Sequence, residues 1–165
     1  MMYAHMRAQS LQRSIALGRR STYLQRHVRK PLTPKQRVAT ELRKLGVTSL
    51  ALLRLEARHL YKILHDGEHI KGVVHGRAAE GYAMLVATER RVIFFDKKPL
   101  FTNEDEITYD VVSGVKVATN GIMQTVTLHT RIKDYVITTF NRQCAYGFMA
   151  WIEARRLERM KGEFI

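Results

Sequence analysis

Cysteine is nearly absent: Cys144 stands alone, which excludes an internal disulfide framework and any zinc site built from several thiolates. Long apolar runs are missing too. The longest, such as Val92–Phe95, are strand-sized, far short of the roughly 20 residues that span a bilayer. The first residues hold no continuous apolar stretch, so no secretory signal is expected. There is no Gly-rich phosphate loop, Ser-x-x-Lys, nucleophile elbow or HExxH motif, and no internal repeat. The familiar catalytic frameworks go with them, and neither enzyme activity nor a cofactor is expected. Acid is also missing from one place: residues 1–40 contain no Asp or Glu.

What is present is positive charge, unevenly spread. The chain of 165 residues carries a formal net charge of +13. Nine Lys or Arg fall in residues 1–40, leaving 19 bases against 15 acids in residues 41–165. Such a surface attracts polyanions, whether nucleic acid, anionic lipid or an acidic protein. Arg19, Arg20, Arg26, Arg29 and Lys30 are the candidate polyanion-binding residues. Ala4, Ala8, Leu11 and Ile15 form a short helical stripe, and only Tyr3 and Tyr23 supply aromatics. Sparse aromatics argue against a base-stacking surface, and the shortness of the apolar stripe implies that any insertion into a membrane is shallow. An Arg-rich, acid-free N-terminus also imitates a mitochondrial transit peptide, and a merely solvated, solubilising arm would look the same.

Hydrophobic periodicity divides the rest into a helical part and a β part. A partly helical arm (residues 1–30) leads through Lys30–Pro34 into a helix capped by Thr33, with Val38, Leu42 and Leu45 on one face and Gly46 as its stop. A second helix is expected from Thr48 to about Leu64, with Leu50, Leu53, Ala57, Leu60 and Leu64 in a stripe, so residues 33–65 read as a helical hairpin. From His69 the period falls to two. Seven strands are expected near 69–76, 80–88, 91–97, 106–111, 113–119, 122–131 and 134–140, with Lys97–Asp105 as a polar loop and Asn120-Gly121 as a hairpin turn. Asn141 then caps a final amphipathic helix reaching about Met160. The fold class is therefore α+β: a seven-stranded antiparallel barrel or sandwich over residues 66–165, closed by the C-terminal helix and preceded by basic helices.

Three runs in this order resemble a known family. Ile63-Leu64-His65-Asp66-Gly67-Glu68-His69-Ile70 is similar to the "L-x-x-G-E-x-I" opening of bacterial pleckstrin-homology-like domains of the YokE-like type. Leu85 to Phe95 resembles that family's "L-V-x-T-x-R-R-x-x-F" hairpin, and Glu106 to Val112 its "I-x-Y-x-x-I" strand, with Val112 for the usual Ile. The resemblance spans residues of about 61–158 and implies a pleckstrin-homology superfold, a scaffold that serves lipid, peptide and protein partners alike. Lipid-binding eukaryotic relatives carry a K-x(n)-[K/R]-x-R pattern at the first hairpin. Lys71, His75 and Arg77 match its offsets, with His75 in place of the middle base. Their shared parity would turn them one way, as a candidate ligand-binding pocket.

Other clusters carry less. His65, His69 and His75, with Asp66 and Glu68, hold metal-ligating atoms, but strand rise keeps the histidines apart, and no metal site is expected. Cys144 falls near the third residue of the last helix, where a dipole would activate a thiol; packing beside Phe148 as a small apolar residue is the favoured reading. Glu104-Asp105-Glu106 reads as a solvated acidic turn. Together these readings describe a non-catalytic intracellular binding or adaptor module for an anionic partner, a membrane surface or an acidic protein. It would be cytoplasmic and peripheral at the inner membrane face. The alternative is a nucleic-acid-associated protein using the same arm, and a further option is an exposed sheet edge that accepts a partner strand.

Overall fold

A computed structural model describes residues 32–52, 54–97 and 102–162. The chain divides into two units, Met1–Leu32 and Thr33–Ile165, and everything below concerns the second. The expected basic arm, with Arg19, Arg20, Arg26, Arg29 and Lys30, lies outside the described residues.

Helix α1 (Pro34–Lys44) starts as its sequence dictates: the Thr33 hydroxyl accepts from the Gln36 N–H while the Gln36 side chain accepts from the Thr33 N–H, a complete capping box with Pro34 at the first position. Gly46, at φ +95°, turns the chain after it. The single helix expected from Thr48 to Leu64 is two: α2 (Ser49–Leu52) and α3 (Leu55–Ile63). Arg54 is extended between them (φ −68°, ψ 157°), and the break leaves Leu50, part of the expected stripe, 80% exposed.

Seven antiparallel strands follow: β1 (Ile70–Ala78), β2 (Gly81–Thr88), β3 (Arg91–Lys97), β4 (Thr102–Thr108), β5 (Val112–Asn120), β6 (Met123–Thr130) and β7 (Asp134–Thr139). They form one sheet in the order β4-β3-β2-β1-β7-β6-β5, and α4 (Arg142–Gly162) closes it. β1 and β7 meet at one bridge, Arg77 opposite Thr138. There Gly76 is required, because a Cβ would sit 2.1 Å from the Thr138 carbonyl oxygen.

Two expectations about the strands fail. The acidic stretch Asn103–Glu106 is strand β4, not a loop, and pairs with β3 from Arg91/Thr108 to Lys97/Thr102. As an edge strand it turns polar side chains outward, so its composition hides it. Its carboxylates are engaged: Glu104 with His59 (3.0 Å), Asp105 with Lys133 (2.8 Å) and Glu106 with Arg91. The β5–β6 turn is centred one residue later than expected, on Gly121-Ile122, because Asn120 still pairs with Met123.

The apolar residues divide into two layers. Val74, Leu85, Val92, Val126, Leu128, Ile137, Phe148 and Ile152 fill the space enclosed by the sheet and α4. Val73, Met84, Val86, Ile93 and Phe95 point the other way, onto Val38, Leu42, Ala57 and Leu60 of the helices. This second layer explains why β2 reads as an unbroken apolar run rather than an alternation: Ala83 to Thr88 are all buried.

Candidate functional site

The family-like motif residues come together as a structural clasp. Glu68 is fully buried. One carboxylate oxygen accepts from Arg91 Nε (3.0 Å) and the Thr88 hydroxyl (2.8 Å); the other accepts from Arg91 Nη2 (3.0 Å) and the His65 N–H (3.0 Å). Burial alone would raise the Glu68 pKa. The bonds from Arg91, the His65 N–H and Thr88 outweigh it and hold the pKa down at about 2. The Tyr109 hydroxyl donates to the Thr88 carbonyl and accepts from Trp151 Nε1 (2.9 Å), tying the β2–β3 hairpin to β4 and α4. Every polar atom in this group faces a protein partner, so the motif holds the fold rather than presenting a ligand site.

A different place is open. A cleft of about 670 Å³ lies where the α1–α2 loop, β1, the start of β2 and the β7–α4 junction converge. Its cations are Arg54, Arg77 and Arg142, from three separate segments, and no acidic residue is among its described lining. The break between α2 and α3 turns Arg54 over the Tyr82 ring, 3.8 Å from its centroid. Arg142 opens α4 and lies over Tyr146 at 5.4 Å. Asn141 caps that helix: its side-chain oxygen accepts from the Cys144 N–H (3.0 Å) while its amide donates to the Gly46 carbonyl (2.8 Å), fixing one wall of the cleft to the other. His75 is buried, with 9% of its surface exposed; Nδ1 meets the Tyr82 hydroxyl, and Nε2 has no partner among the described residues. Burial, then the neighbouring Arg54 charge, lowers its pKa, so the ring is neutral near pH 7. Phe140, 70% exposed, gives the cleft an apolar wall.

The structure brings two of the three first-hairpin candidates together. His75 and Arg77 both line the cleft; Lys71 is exposed and outside it. The expected common face fails because the β1–β2 register shifts between Ile70 and Gly72: Lys71 is the extra residue of a bulge, which leaves Ile70 and Val73 on one face and takes Lys71 off the row of His75 and Arg77. The histidines separate: His65 lies beside Glu68 and His69 bonds Glu41 (2.7 Å), while His75 is in the cleft. Sequence reasoning missed Arg54, Tyr82, Phe140 and Arg142. Arg142 follows a legible cap, but neither Gly nor Pro marks the break that delivers Arg54.

A seven-stranded antiparallel sheet closed by a C-terminal helix is a pleckstrin-homology-like domain. Residues 64–154 match the bacterial PH domain family model, and the chain belongs to that family. A crystal structure of a DUF1696 family protein with a pleckstrin-homology domain, from Shewanella loihica, is similar at 19% identity, over 50% of this chain and 74% of that one, with a TM-score of 0.33. No curated protein matches. Among the described residues no helix is long and apolar enough to cross a membrane.

Proposed function

We propose that the chain is a non-catalytic binding module that attaches to an anionic surface, most simply the inner face of a membrane, with the domain as a docking scaffold. The charge distribution carries this reading: nine bases and no acid in residues 1–40, on a chain whose remainder is close to balanced. Lys71 and Arg77, both exposed, present further positive charge on the domain itself. The fold itself supports binding rather than chemistry, since its buried polar cluster is consumed by internal bonds.

Co-sedimentation with vesicles tests the proposal. Binding should rise with the fraction of phosphatidylglycerol and fall with salt, because each basic side chain near an anionic surface contributes on the order of 1 kcal/mol. Reversing two charges, in Arg19→Glu with Arg20→Glu, should weaken it at least about tenfold. Binding indifferent to lipid charge, or retention of duplex DNA alone with a steep salt slope, would overturn the membrane reading.

A further inference from the structure

We infer that the cleft between the α1–α2 loop and the β1/β7 corner is a small-molecule site for a phosphate monoester carrying a flat apolar group. The inference goes beyond surface attachment, since it is argued from described residues alone and uses none of Arg19, Arg20, Arg26, Arg29 and Lys30. It also goes beyond the family match: Arg54, Thr48 and Gly46 precede the matched residues 64–154.

Charge comes first. Arg54, Arg77 and Arg142 have no carboxylate within ion-pair distance among the described residues, whereas Arg91 has two and Arg155 and Arg156 have one each. Glu80 lies on the adjoining β1–β2 turn beside Arg77, outside the cleft's lining. A second groove holding Arg90, Arg155 and Arg159 also holds Asp110 and Glu158, so its charge is internally offset. Among its described lining the cleft has no such offset, which suits an anionic ligand. A carboxylate brings one charge and two oxygens. A phosphate monoester brings close to two charges and three acceptor oxygens, which suits three forked guanidinium donors.

Two further features point to an occupant. His75 Nε2 is buried without a partner among the described residues, although Nδ1 is bonded to Tyr82; buried polar atoms of this kind are rare unless something completes them. The first turn of the 21-residue helix α4 also opens here. Asn141 satisfies its Cys144 N–H, while the preceding N–H groups lack intrahelical partners by construction. The apolar group follows from the walls: Phe140 presents a free ring, and the volume falls within the range of roughly 300–1,000 Å³ typical of small-molecule pockets.

Titration calorimetry on the full chain, with phenyl phosphate, inorganic phosphate and benzoate as probes, tests the assignment. Phenyl phosphate should bind about tenfold more tightly than inorganic phosphate, and benzoate at least tenfold more weakly than phenyl phosphate. Arg54→Gln and Arg142→Gln, at exposed side chains whose loss leaves the core intact, should each weaken phenyl phosphate about tenfold with an unchanged melting temperature. Phe140→Ala should remove the preference over inorganic phosphate. Arg19→Glu with Arg20→Glu should leave phenyl phosphate binding unchanged, which separates this site from the membrane reading. Equal affinity for benzoate, affinity insensitive to Arg54 and Arg142, or capture by phosphatidate vesicles without any affinity for phenyl phosphate would each overturn it.

Discussion

Glu68 is an acid in an interior that would normally reject it, and it stays ionised because four donors reach its two oxygens. Its carboxyl titrates at about 2 in the fold against 4.5 when unperturbed, so the unfolded chain binds the extra proton between those values. Stability from this group is therefore complete above about pH 4.5 and is lost as pH falls toward 2. Urea midpoints should be flat above pH 5, on Glu68's account, and fall steeply below. Glu68→Gln should flatten the acid limb and cost about 3 kcal/mol at neutral pH, since Arg91 loses its buried counter-charge. Arg91 still reaches Glu106 and the Ile63 carbonyl, which keeps that cost at the lower end for a broken buried pair. Cys144 behaves in the opposite sense. Burial pushes its thiol up to about 11 despite its place in the first turn of α4. In the native protein at pH 8 it should resist an aromatic disulfide reagent, and it should react within minutes once the chain is unfolded; prompt native labelling would show the packing of α4 to be open.

At the scale of elements, the β1–β7 bridge is the point on which closure of the sheet turns. Gly76→Ala would drive a Cβ into the Thr138 carbonyl, backbone against backbone, where no side chain can yield. The substitution should cost at least about 3 kcal/mol by denaturant titration, the upper end for overpacking; a cost below 1 kcal/mol would mean the two strands part freely. Periodicity made the elements legible wherever one face of each meets a core. Val38 and Leu42 share a helix face by their spacing and are buried, and the order of seven strands and a capping helix follows from turn chemistry. It failed where tertiary contacts decide. β4 is polar because it is an edge, and at the break Arg54 lies over the ring of Tyr82, nearly thirty residues away, a contact that no local spacing shows. The bulge at Lys71 is equally silent in sequence, yet it alone decides which first-hairpin base reaches the cleft. The family motif was legible and structural; the cleft was not, because its three arginines have no common spacing.

For the whole molecule, the two apolar layers set the limits of what can be removed. Among the described residues every buried hydrophobic lies between Val38 and Ile152, and α1 is tied to the sheet by Arg37, which donates to the Glu68 carbonyl (2.7 Å), and by Glu41, which accepts from the Ile70 N–H (3.0 Å). Residues 33–63 are thus the second wall of a shared core, while residues 1–32 form a separate unit carrying seven Lys or Arg and no acid. Deleting residues 1–32 takes the charge from +13 to +6, 21 bases against 15 acids. The truncated chain should keep its cooperative unfolding transition and its phenyl phosphate affinity, because neither layer nor the cleft loses a described residue. Its vesicle binding should drop and lose most of its salt dependence, since nonspecific attraction scales with the cations presented. A truncated chain that no longer unfolds cooperatively would show that the arm completes the core. One that binds anionic vesicles as before would move the attaching charge onto the domain itself.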